Sequence, residues 1–347
     1  MFSPNRHRRP ASPNLFERAL FARTEDGSRL SAQFDDQDLA LLALGQALRA
    51  SAYRFTTPTP ATHALVNARE SNGSAMSLTD IFGWSRPFEL ELLSAGMVEL
   101  ATRSRVIERA RLGWRSRVRF STLESLLFAH SAFPTDGPGA VFFGPDTYRF
   151  ARLLKTVASE PFTNRVRIID IGCGSGAGGI YLSLLLQHRC DVELVLGDIN
   201  AEALRFSRIN AALNTCEAKV VESDVLSGID GQADIIIANP PYLVDGAKRL
   251  YRHGGGTFGG ALSVRIVEEA LLRLKPGGRL VLYTGSAIAD GIDTFWQDVQ
   301  PVLERCALPY VYEEIDPDVF GEELREASYQ RADRIAVVAL TVRQEKK

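Results

Sequence analysis

Cysteine is scarce in this chain. Only Cys173, Cys190, Cys216 and Cys306 occur among 347 residues, none in a CxxC pair, beside five histidines. Such a set argues against a disulfide framework, a zinc site or any other metal, and favours a reducing compartment. Long apolar runs are also missing. The stretch Ile180 to Leu186 is broken by Ser183 and is too short to span a bilayer. The N-terminus reads MFSPNRHRRPASPN, basic but with no apolar core behind it, which does not suit a secretory signal. A cytoplasmic protein with no membrane partner is the expectation. Nor does either charge dominate: 40 Lys+Arg face 42 Asp+Glu, a formal charge of -2. That balance excludes a uniformly basic nucleic-acid coat but permits a local basic patch.

What is present is globular: 45% hydrophobic, 24% charged, 28 Gly and 16 Pro. The length predicts about two domains. Residues 1–35 read as a flexible tail. Residues 36–135 read as a smaller, mainly helical domain that recognises substrate. A helix is expected over DDQDLALLALGQALRAS, capped by Asp36 or Asp38, with Leu39, Leu41, Leu42, Leu44 and Leu48 as its buried stripe. TTPTPAT (56–62) punctuates, and 78–100 reads as helix, turn, helix with Gly96 as a stop. Residues 101–120 then carry seven arginines and one acid, Glu108. Val118 and Phe120 alternate with Arg117 and Arg119, which predicts a strand with one wet face. Helices followed by a basic hairpin suggest a winged-helix-like module. A short helix is expected over 123–130, and the loop FPTDGPGA (133–140) marks the domain boundary.

From Val141 the texture changes to short apolar strands alternating with amphipathic helices, the pattern of a parallel α/β sheet. The first strand ends Asp170-Ile171-Gly172-Cys173-Gly174-Ser175-Gly176, a glycine turn that lets backbone approach a nucleotide-like ligand. Gly174 to Gly179 also fits GxGxxG, so an NAD-type oxidoreductase is one reading. Asp170 argues against it, because an acid there repels a pyrophosphate and tolerates a cation. Asp198 ends the second strand, followed by Ile199, and suits both hydroxyls of a ribose. Asp224 and Val225 end the third and suit an adenine amino group and its ring. The fourth strand ends Asn239-Pro240-Pro241-Tyr242. Two prolines fix the backbone there. The Asn239 amide oxygen and the Pro240 carbonyl can then accept both hydrogens of a planar NH2 group, aiming its lone pair, while Tyr242 offers a flat face for stacking. Positioning of this kind carries much of the work when the nitrogen is a poor nucleophile.

This ordered set resembles the class I S-adenosylmethionine-dependent methyltransferases over about residues 141–347. Their D-x-G-x-G-x-G pattern matches 170–176, and their second-strand acid matches Asp198. The NPPY tetrapeptide is similar to that of the methyltransferase small domain and release-factor glutamine methyltransferase group. The resemblance implies a Rossmann-like seven-stranded α/β sheet in a domain spanning 136–347, with its last strand antiparallel. It implies S-adenosyl-L-methionine as cofactor, held by Asp170, Gly172, Cys173, Gly174, Gly176, Asp198, Ile199, Asp224, Val225 and Asn239. It implies catalysis by Asn239, Pro240, Pro241 and Tyr242, with methyl transfer to a nucleobase amine or a glutamine amide. A non-catalytic scaffold of the same fold is the remaining alternative.

The acceptor stays open. Gly144-Pro145-Asp146-Thr147 stands where the glutamine enzymes carry a Pro-rich substrate segment, making Phe143, Pro145 and Thr147 candidate substrate residues, but their R-x-E-T-E string is absent. Residues 1–135 hold 17 Arg and no Lys against 13 acids, a balance of +4, so the rest carries -6. The arginine-rich stretch suits RNA phosphates. The seven acids of EEIDPDVFGEELRE (313–326) suit a protein or basic substrate instead. YRHGGGTFGG (251–260) reads as flexible, either a lid or a plain connector. Oligomeric state is not legible.

Overall fold

A computed structural model describes residues 34–137, 139–162, 165–246 and 249–346. All but the last two residues of the expected tail lie outside the described residues. No helix among those described is long and apolar enough to cross a membrane.

The N-terminal region opens with α1 (Asp36–Ala50). Its cap is Asp35, one residue earlier than expected, whose carboxylate accepts from the Asp38 amide. Leu41, Leu42, Leu44 and Leu48 are buried, and Leu39 is partly so. Residues 56–62 do more than punctuate. Thr59 caps α2 (Pro60–Asn67), whose first position suits proline because that amide has no helical partner anyway. After α3 (Leu78–Phe82) comes α4 (Ala95–Arg103), capped by Ser94. Gly96 therefore opens this helix, where sequence suggested a stop.

Two hairpins follow: β1 (Ile107–Arg109) with β2 (Trp114–Ser116), and β3 (Val118–Leu123) with β4 (Leu126–Ser131). Residues 123–130 are thus strand and turn, not helix. A short run buried on both faces has no period to separate the two. The wet face expected on β3 is also absent: Arg119 is only 4% exposed, its guanidinium over the Phe55 ring.

The larger region begins with α5 (Pro145–Ala158) and β5 (Arg165–Ile171), then α6 (Ala177–Leu186), β6 (Asp191–Asp198), α7 (Ala201–Leu213), β7 (Lys219–Glu222) and β8 (Ala233–Ala238). It continues through α8 (Ala261–Leu271), β9 (Leu274–Ala289), the two-residue β10 (Ile292–Asp293), α9 (Thr294–Cys306), β11 (Tyr310–Asp316) and β12 (Ala332–Arg343). The sheet order is β11-β12-β9-β8-β5-β6-β7, with β10 on the side of β9. Neighbours are parallel from β7 to β9, and β12 is antiparallel to both its neighbours. This is the doubly wound α/β sheet expected, with its last strand reversed. Order reverses between β5 and β8, the crevice where such sheets bind ligands.

The expected division at 135/136 falls in the loop joining β4 to α5. The two sides share cores: Phe206, Ile209 and Leu213 of α7 pack among the N-terminal helices, and Phe128 of β4 packs in the larger region. Two asparagines of α7 also cover the free edge of β4. Asn210 accepts from the Ala129 amide at 2.7 Å and donates to its carbonyl at 2.8 Å. Asn214 does the same for Leu127 at 3.1 and 2.9 Å. The spacing fits, because four helical residues rise about 6 Å and two strand residues about 6.6 Å.

Candidate functional site

A cleft of about 370 Å³ opens over the carboxyl ends of β5 to β8. Asp170, Gly172, Cys173, Gly174, Asp198, Ile199, Asp224, Val225 and Asn239 through Tyr242 all line it. The strands bring these residues together because each ends at the same edge of one sheet.

Gly172, Gly174 and Gly176 all have positive φ (64°, 55° and 77°), which explains the glycines of the loop. Gly176 does not line the cleft. It begins α6, where a Cβ would meet Ile180, Ser207 and Leu196 at 3.0–3.3 Å. Gly179, the last glycine of the GxGxxG window, lies inside α6 against the sheet, where a Cβ would fall 2.6 Å from Leu196. Its amide donates to the buried Asp170 carboxylate at 2.8 Å. Burial pushes the Asp170 carboxyl up to about 7, against the lowering effect of that amide.

The Asp198 carboxylate accepts from the Gly174 amide at 2.8 Å and the Asn200 amide at 2.9 Å. Burial raises its pKa, and these amides oppose the rise. Ile199 is 54% exposed, an apolar face at the rim. Val225 is buried, while the Asp224 carboxylate is exposed and accepts from Arg265 at 2.8 Å. The set suits the nucleoside of S-adenosylmethionine: an acid for the ribose, apolar faces for the ring, and room beside the loop, where a Cβ on Gly172 would meet nothing within 4 Å.

The Asn239 side-chain amide makes no hydrogen bond to the described residues. Tyr242 is buried; its hydroxyl donates to Asp146 Oδ2 at 2.6 Å. Its ring lies on Gly285, where a Cβ would fall 2.1 Å away. Asp146 also accepts from Tyr283 at 3.0 Å and Arg149 at 3.3 Å, and Arg149 reaches Asp316 at 2.9 Å. Asp146 is thus the hub that ties α5 to the NPPY turn. Sequence reasoning passed over it while naming its neighbours, although it is the one acid of the GPDT string.

Of those neighbours, Thr147 lines the cleft and accepts from the Gly144 amide at 3.3 Å. Pro145 merely starts α5, outside the cleft lining. Phe143 is a correction: it is 1% exposed and packs on Phe128, His130 and Tyr148. Phe142 faces the cleft in its place, stacked near-parallel (11°) with Tyr251 at 6.0 Å. Only the tertiary fold tells these adjacent phenylalanines apart.

Segment 251–260 is built against NPPY. The Gly254 amide donates to the Leu243 carbonyl at 2.9 Å, and a Cβ there would lie 2.5 Å from the Pro241 carbonyl oxygen. Gly259, at φ +88°, leaves 2.2 Å between a Cβ and the Tyr242 carbonyl oxygen. These glycines permit close packing, so their composition does not signal a loose connector. The Tyr251 hydroxyl donates to the Thr135 carbonyl, roofing the cleft from the other region. Arg249 and Arg252 line the same side, bound to Asp245 and Glu323. The acidic segment 313–326 does reach the cleft, through Phe320.

Sheet order, glycine loop and NPPY turn together resemble a class I S-adenosylmethionine-dependent methyltransferase domain. More particularly, residues 150–289 match the family model of the methyltransferase small domain. The chain is similar to the ribosomal RNA small subunit methyltransferase C of Pasteurella multocida, 38% identical over 128 residues, covering 37% of this chain and 34% of that protein. It is similar to the protein of the same description from Yersinia pestis, 32% identical over 136 residues, covering 39% and 35%. The chain thus spans about a third of the length of these curated relatives. Among solved structures, a T. thermophilus 16S rRNA N2 methyltransferase in complex with AdoMet and guanosine aligns with TM-score 0.43 and 15% identity, over 74% of this chain and 63% of that one.

Proposed function

We propose that this protein transfers a methyl group from S-adenosylmethionine to the exocyclic NH2 nitrogen of a nucleobase in RNA, in the cytoplasm. One observation carries the reading: the Asn239 amide, with no hydrogen bond to the described residues, opens into the cleft that Asp170 and Asp198 also line. When bound, S-adenosylmethionine supplies an electrophilic methyl group on a sulfonium. The chain's part is positioning. Asp198 holds the ribose hydroxyls, Ile199 and Val225 flank the adenine, and Asp170 offers a negative charge to the cationic end. The Asn239 side-chain oxygen and the Pro240 carbonyl accept the two N–H bonds of the acceptor and stabilise charge building on it. The nitrogen grows acidic as it is alkylated, so no dedicated base is needed.

The ribosomal RNA substrates named for the relatives favour an RNA acceptor over a glutamine amide, as does the missing R-x-E-T-E string. The NAD-type reading and the scaffold reading have no support among these relatives. The test is incubation of the protein and tritiated S-adenosylmethionine with cell lysate, followed by RNase or protease. Label lost to RNase and retained after protease is expected. Label that survives RNase and is lost to protease would assign the acceptor to protein.

A further inference from the structure

The seven arginines of 101–120 are not equivalent. Arg119 is buried. Arg103 pairs with Glu99 at 3.7 Å, and Arg115 and Arg117 share Glu108 at 3.0 and 3.7 Å. Arg105, Arg109 and Arg111 are exposed and have no carboxylate partner among the described residues. Arg109 lies over Trp114, 4.5 Å from its ring centroid.

The backbone presenting them is held firmly. The Ala110 amide donates to the Gly113 carbonyl at 3.1 Å. Phe88 and Trp114 exchange two backbone hydrogen bonds, at 2.8 and 2.7 Å. Gly113 sits at φ +67°, where a Cβ would lie 2.4 Å from the Phe88 carbonyl oxygen. The hairpin also adjoins the cleft. The Ala132 amide donates to the Arg117 carbonyl at 3.0 Å, and the next four residues, Phe133 to Asp136, line the cleft.

The acidic segment is differently placed. Glu314, Asp316 and Glu323 pair with Arg334, Arg149 and Arg252, so part of its charge is spent inside the molecule. The guanidiniums of Arg105, just before β1, and of Arg109 and Arg111 in the hairpin are compensated by no such pair among the described residues.

We propose that the β1–β2 hairpin docks the phosphate backbone of an RNA stem and so holds the acceptor nucleotide at the cleft; this rests on the RNA reading above. Residues 105 to 111 span at most about 20 Å of extended chain. Duplex nucleic acid carries one charge per roughly 1.7 Å of axis, so three arginines over that span meet several phosphates. The hairpin's only aromatic is Trp114, already covered by Arg109, which leaves no platform for base stacking. The contact is to backbone and carries no sequence preference.

The test compares the full chain with the triple variant Arg105→Ala, Arg109→Ala, Arg111→Ala, none of which lines the cleft. Binding to an RNA stem-loop of about 20 base pairs is followed between about 50 and 200 mM salt. Methyl transfer to small-subunit ribosomal RNA is measured alongside. The slope of log affinity against log salt should fall by about 2–3, and affinity roughly tenfold or more. KM for RNA should rise, with kcat and cofactor affinity unchanged. The matching triple lysine variant should keep most of the salt slope, because phosphates read charge. An unchanged slope and KM in the alanine variant, or no rescue by lysine, would overturn the docking role while leaving the RNA reading standing. A wild-type protein that puts no label into RNA would overturn the RNA reading itself.

Discussion

The cleft has two walls of different construction. The first, carrying Asp170, Asp198, Asp224 and Asn239, consists of successive strand ends on one parallel sheet. Its backbone is locked by ladders such as Asp170 opposite Ile237 and Leu196 opposite Val220. The second is made of loop segments, Phe133 to Asp136, Phe142, Arg249 to Arg252 and Phe320. It is held by side chains, through the Tyr251–Thr135 bond and the Asp245 and Glu323 ion pairs, and by isolated backbone bonds such as Leu243 N–H to the Arg252 carbonyl at 3.1 Å. A hydrogen-bonded sheet fixes its strand ends closely, while loops joined by side chains can change without disturbing the core. Under the proposed function, the difference assigns cofactor and chemistry to the sheet and choice of acceptor to the loops.

The sharpest way to break that comparison is Asn239→Ala. Methyl transfer should fall at least ~100-fold, since a preset acceptor is removed, while cofactor affinity stays nearly unchanged. Undiminished turnover would sink the assigned role. Asp198→Ala should lower cofactor affinity roughly 10–100-fold by calorimetry, the loss of a charged hydrogen-bond partner. Unchanged affinity would contradict the ribose role. Asp146→Asn tests the tie between α5 and the NPPY turn. It should lower kcat roughly tenfold through a displaced Tyr242, with cofactor affinity intact. Non-additivity with Tyr242→Phe would show that both act through one bond.

The smallest effect concerns pH. Burial raises the Asp170 carboxyl to about 7, so below that pH the free protein holds it protonated and neutral. A bound sulfonium favours the ionised form. Affinity for S-adenosylmethionine should therefore rise with pH, by at most about tenfold per unit, and level off above about 7. Calorimetry at pH 6 and pH 8 checks the rise, and Asp170→Asn should abolish it. A flat profile in the wild type would place the cation away from Asp170.

Much of the sheet wall was legible because each part of it is local. RVRIIDI runs straight into Gly172, Gly174 and Gly176, and ADIIIA runs straight into Asn239. The loop wall was far less legible. Phe142 and Phe143 are adjacent and chemically identical, yet one faces the cleft and the other the core. Gly254 and Gly259 read as slack in the sequence, but the Pro241 and Tyr242 carbonyls lie against them. In the N-terminal region, LLFAH carries no period that separates strand from helix. The asparagines that make it an edge strand come 81 and 87 residues later.

By itself, the sequence determined the order of strands and helices in the larger region, the three acids at successive strand ends, and the NPPY turn. Each follows from short-range preferences, such as buried β-branched runs, positive-φ glycines and the rigidity of proline. Tertiary structure alone decided that Asp146 reaches Tyr242 across 96 residues, and that Arg119 is buried while Arg105, Arg109 and Arg111 are not. The physical reason is common to all of these. Burial and pairing depend on what the rest of the chain packs against a residue, and no local pattern records that.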